Sequence, residues 1–146
     1  MATRSIVAIP AGDGWLGRYV HWDGGPGARV PVLMELIKRH GIVPVIDTVI
    51  RTNYGWSHLD PDQTPELEGI YSDGRFIARP GYGVAYTLEQ AGGAQMESDT
   101  TADPLWIEYV YVLGPRTLTV LEGLPEGSQP WRMIGTFRYT DTLVGV

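Results

Sequence analysis

Glycine and proline punctuate this chain so often that no long helix can be built from it. They account for 19 and 11 of its 146 residues. In a helix interior they cost about 1 and 3 kcal/mol each relative to alanine. Such a load approaches that of low-complexity chains. Yet 43% of the residues are hydrophobic and 10% aromatic, too much apolar material for disorder. What remains is a set of short strands joined by tight turns, in one domain spanning residues 1–146.

Charge narrows the function classes. The net charge is −6, and the only basic cluster, Lys38-Arg39, falls at a helix end. No stripe of Lys and Arg is present to neutralise phosphates, so broad nucleic-acid binding is not expected. A polybasic membrane anchor is absent too. With no cysteine, disulfides, thiolate metal sites and a Cys nucleophile are excluded. The apolar stretch Ile6–Ile9 is too short for a signal-peptide core or a membrane span. The expectation is a soluble cytoplasmic protein without a cofactor.

Hydrophobic periodicity places the elements. Arg4–Ile9 reads as a strand, Ala11–Gly14 as a turn, and Trp15–Trp22 as the returning strand. On that strand Trp15, Tyr19 and His21 share one face, and Leu16, Arg18, Val20 and Trp22 the other. Val30, Leu33, Met34 and Ile37 form a helical stripe that ends in Lys38, Arg39, His40 and Gly41. Ile42–Asn53 carries a second helical stripe, although its β-branched run also suits a buried strand. A long loop is expected over 54–74. Short strands follow at Arg75–Arg79 and Gly83–Thr87, and a flexible loop over 89–103. Leu105–Leu113, Thr117–Glu122 and Trp131–Tyr139 alternate as an antiparallel meander, with the first of them apolar on both faces and therefore central. The fold class is α+β: an antiparallel sheet, built from the hairpin and the meander, packed with one or two short helices.

One stretch concentrates residues suited to chemistry. Arg18, His21, Trp22, Asp23, Gly24, Gly25, Gly27 and Arg29 lie where a strand gives way to a helix. A glycine-rich turn at a helix amino end offers backbone N–H groups to an anion, the arginines add charge-assisted bonds, and an indole can stack on a flat ring. The same glycines can also serve only to turn the chain. His21 with Asp23 has the composition of a general-base pair. Ser5 and Ser57 lack a nucleophile-elbow motif. His58, Asp60 and Asp62, followed by Glu66 and Glu68, are weak metal candidates, since their spacing is not that of an EF-hand, and no metal is expected. Tyr54 and Trp56 flank glycine in a loop, where aromatic rings often face a ligand.

The segment Gly17-Arg18-Tyr19-Val20-His21-Trp22-Asp23-Gly24, preceded by Thr3-Arg4-Ser5, resembles the opening of a family of small proteins encoded by actinobacteria and their phages. Those begin with Thr-Arg and continue through Tyr-x-His-Trp-Asp-Gly-Tyr-Pro into a helix. Tyr54-Gly55-Trp56-Ser57, Pro80–Tyr86 and Trp106–Tyr111 are similar to later pieces of the same family. Gly25 departs from the pattern, which has Tyr there. The resemblance implies a phage or host-cell setting and no particular mechanism.

These observations favour a small acidic binding protein that captures a small anionic, nucleotide-like ligand or blocks a host defence protein. Two other readings stay open: a hydrolase using His21 and Asp23, and an assembly protein acting as a homo-oligomer.

Overall fold

A computed structural model gives the fold and describes residues 2–67, 74–86 and 96–140. Among these, nine strands form one mixed, mostly antiparallel sheet. The opening hairpin is β1 (Ser5–Ala11) and β2 (Gly14–Val20), turning at Gly12, whose φ of 57° only glycine adopts freely. Next come helix α1 (Pro26–His40), one turn of helix α2 (Ile42–Val45) and a π-helical turn, Ile46–Ile50. The remaining strands are β3 (Gly55–Leu59), β4 (Phe76–Arg79), β5 (Gly83–Tyr86), β6 (Glu97–Ser98), β7 (Tyr109–Leu113), β8 (Thr117–Gly123) and β9 (Trp131–Arg138). Their order across the sheet is β4-β5-β3-β2-β1-β7-β8-β9, with β6 beside β2.

The hairpin forms the middle of the sheet because each of its strands acquires a parallel neighbour. β1 pairs with β7, and β2 meets β3 at Val20 and Trp56. The second pairing makes β2-α1-β3 a crossover unit. The helices cover one face, where Val7, Val20, Leu33, Leu36, Val49, Ile50, Trp56, Tyr111 and Leu118 pack together. Among the described residues the other face carries no helix. Ile6, Ala8, Trp15, Tyr19 and Val110 are covered there by Ala102 and Ile107.

The second helical stripe is helical, as its period implies, although its last five residues widen to a π turn, with Arg51 N–H bonded to Ile46 O. Three expectations need correction. The 54–74 loop contains a strand, β3, deep in the sheet. A bulge between Trp56 and His58 breaks its alternation and hides it from a period-2 reading. Within 89–103, residues 96–103 are held in place: β6 pairs with Leu16 and Gly17, and Ala102 is buried. The remainder of that expectation, 89–95, lies outside the described residues. The strand expected from Leu105 begins only at Tyr109. Asp103 turns the chain first, accepting from Leu105 N–H at Oδ1 and from Trp106 and Ile107 N–H at its carbonyl.

Candidate functional site

β2 runs out into the loop that opens α1. His21 and Trp22 extend the parallel pairing through N–H bonds to Trp56 O (3.0 Å) and Ser57 O (2.9 Å). Asp23 then takes a left-handed conformation, φ 59°. Gly24 packs against the amino-terminal segment, its N–H on Thr3 O at 3.1 Å. Gly25 caps α1, its carbonyl accepting from the Ala28 and Arg29 N–H groups, while Gly27 lies in the exposed first turn. The loop therefore sits outside the carboxyl end of a strand in a β-α-β crossover, where open sheets place ligands.

Most of the residues singled out in this stretch do not converge on an open cavity. Arg18 points to the helical face and closes the π turn, donating from Nε to Ile50 O (2.9 Å) and from Nη2 to Thr52 O. Burial pushes its pKa down. Arg29 is 1% exposed, and its Nη2 donates to Trp22 O at 2.5 Å. Burial lowers its pKa to about 10. Trp56 is a core residue, wholly buried, with Nε1–H on Val49 O. Tyr54 is half-buried beneath the Arg79 guanidinium, 5.4 Å from the ring centre.

The expected His21–Asp23 pair does not form. His21 Nδ1 lies 2.6 Å from the Tyr19 hydroxyl. Burial raises the Tyr19 pKa to about 12, so the hydroxyl keeps its proton, and either it or the ring nitrogen can be the donor across this contact. With the hydroxyl donating, the neutral imidazole accepts at Nδ1 and carries its hydrogen on Nε2. Burial and the Arg4 charge push its pKa down, favouring that neutral form. A ring in this tautomer presents a donor rather than a base.

A different group gathers around His21. The Arg4 guanidinium lies 3.6 Å above the Trp106 ring, and its charge acts on both Tyr19 and His21. The His21 ring meets Trp22 edge-on at 4.7 Å. Trp22 is 40% exposed and Trp106 55%. Two accessible indoles are thus joined through a cation and a neutral imidazole. The hairpin alternation already put Tyr19 and His21 on one face. Nothing local in the sequence brings Arg4 to Trp106, because the β1·β7 pairing makes that contact, with Glu108 N–H on Arg4 O.

His58, Asp60, Asp62 and Glu66 line a separate pocket of about 270 Å³ with Gln63 and Thr64. Its two aspartates already have partners. Asp62 receives Arg39 at 2.8 Å, and Asp60 Oδ1 receives the Asp62 N–H. His58 is pushed below its ordinary pKa, mainly by burial. Among the described residues no three His, Asp or Glu side chains are grouped to hold a metal, and no helix is long and apolar enough to cross a membrane.

A scan against protein-family models, a search of curated proteins and a search of solved structures find no match to this chain.

Proposed function

We propose that the chain is a binding protein that takes a small anionic ligand carrying a flat ring, nucleotide-like in its chemistry, on Arg4, His21, Trp22 and Trp106. The observation that supports this is the Arg4 guanidinium stacked on an exposed indole. A cation in that position still presents N–H donors at its edge to an oxyanion. The His21 Nε2–H adds a neutral donor, and the indoles offer stacking surface. Tryptophan and arginine are also the residues that most often dominate binding surfaces. The hydrolase reading loses its motive, since Tyr19 rather than Asp23 orients His21.

Isothermal titration with nucleoside monophosphates tests the proposal. Binding is expected to weaken at least tenfold in Trp106→Ala and in Arg4→Gln, with unchanged circular dichroism. Equal affinity in both variants, or no heat from any such ligand, defeats it.

A second reading, a homo-oligomer, is favoured by β9, which among the described residues pairs only with β8 and exposes Met133 and Ile134. Light scattering distinguishes the two: a stable dimer that Met133→Lys dissociates supports assembly through this edge.

A further inference from the structure

Arg29 is an unusual cation. It is 1% exposed, yet its side chain makes a single hydrogen bond, to Trp22 O, and no ion pair among the described residues. Its Nε is buried without a partner. A buried charge is normally paired, because losing water around it is otherwise uncompensated. The guanidinium reaches the inner side of the Trp22–Gly25 loop, at the amino end of a 15-residue helix. Other polar groups face the same place. Tyr111 Oη donates to Gly24 O at 2.5 Å, and a β-carbon at Gly24 would lie 3.0 Å from Ser5 Oγ, a second buried atom without a partner. The Asp23 carboxylate acts on Arg29 only through space, from an exposed position.

We propose that the packed seam beneath the Trp22–Gly25 loop opens into a small-oxyanion site, for inorganic phosphate or a terminal phosphate group, with Arg29 as its cation and Ser5 as a hydroxyl donor. The site is closed here by the loop. Four hydrogen bonds tie that door to its surroundings: Trp22 O to Arg29, Trp22 N–H to Ser57 O, Gly24 O to Tyr111 and Gly24 N–H to Thr3 O. An entering oxyanion replaces the Trp22 carbonyl as acceptor and satisfies Arg29 Nε and Ser5 Oγ together. Helix amino ends with a convergent cation are built for this ligand class. The site shares Trp22 with the aromatic surface but makes no use of Trp106.

The test is thermal unfolding in sodium phosphate against sodium chloride at matched ionic strength, with ³¹P line broadening of inorganic phosphate as the direct readout. The expected result is a saturable Tm rise of a few degrees with phosphate and a broadened ³¹P line, both lost in Arg29→Met. Asp23→Asn, which removes the competing carboxylate, is expected to tighten binding severalfold, and Trp106→Ala to leave it unchanged. A nucleoside monophosphate that binds through Arg29 but not Trp106 assigns the terminal phosphate of a larger ligand to this site. Equal Tm in the two salts with a sharp ³¹P line overturns the proposal, as does a phosphate effect that survives intact in Arg29→Met. Should that variant not fold, Ser5→Ala decides: severalfold weaker phosphate binding supports the site and unchanged binding rejects it.

Discussion

At Gly24 the loop passes so close to the amino-terminal segment that a β-carbon would sit 2.3 Å from Thr3 O. Gly24→Ala is therefore expected to destabilise the fold by about 1–3 kcal/mol. Three residues on, Gly27 has open space around it and lies in the first turn of α1. Gly27→Ala is expected to stabilise by about 0.4–1 kcal/mol, because it restricts the unfolded chain without a clash. Urea unfolding of the two variants checks both signs. The sequence shows both as members of one glycine cluster, and only the approach of Thr3 separates them. The arginines follow the same logic. Arg18 and Arg29 are legible as charges beside a turn, but Arg18 meets backbone carbonyls 32 and 34 residues away, at Ile50 and Thr52, and Arg29 folds back onto the Trp22 carbonyl of its own loop. The histidines give a pH dependence. His21 and His58 are both held below their ordinary pKa of 6.5, so on acidification the unfolded chain takes up protons that the folded one refuses. Stability is full above about pH 6.5 and falls as pH drops towards the folded pKa values. Glu97, raised by burial, acts in the opposite sense, since its folded form keeps a proton that the unfolded one releases. Urea midpoints at pH 7.5 and 5.5 are expected to differ less in His21→Asn/His58→Asn than in the parent, and more in Glu97→Gln.

Elements with a clean period were legible and those with an irregularity were not. The α1 stripe buries Val30, Leu33, Met34 and Ile37, and the hairpin and meander pair as their alternation implies. β3 escaped because its bulge shifts the pattern within five residues. The segment from Leu105 to Ile107 alternates like a strand, but the Asp103 turn takes its N–H groups instead and leaves Leu105 76% exposed. The π turn is closed from outside itself, by Arg18 on the carbonyls of Ile50 and Thr52 and by the Trp56 indole on Val49 O. Arg18→Leu is expected to cost about 2–3 kcal/mol, as carbonyls bonded to a charged group are left without it, and to leave ³¹P broadening by phosphate unchanged. Equilibrium unfolding and the phosphate titration on the same variant separate this structural role from a ligand contact.

In the whole molecule, protection should follow position in the sheet. β1 has a partner on each side, and Ile6, Val7 and Ala8 are fully buried. Its amides are expected to exchange last and those of β9 and β4, at the two margins, first, as native-state hydrogen exchange would measure. The α+β class was readable from composition and period. The order of the strands was not, because two parallel pairings join segments far apart in the chain and no short-range signal encodes them. The aromatic surface was illegible for the same reason: Arg4 meets Trp106 only after β7 has docked beside β1. That docking also has a consequence during synthesis. The first strand leaves the ribosome about a hundred residues before its parallel partner, roughly 5–20 s at ordinary elongation rates. Throughout that interval the nascent hairpin has a bare edge carrying the most apolar segment of the amino-terminal region, and a chaperone or a neighbouring nascent chain can occupy it before β7 arrives.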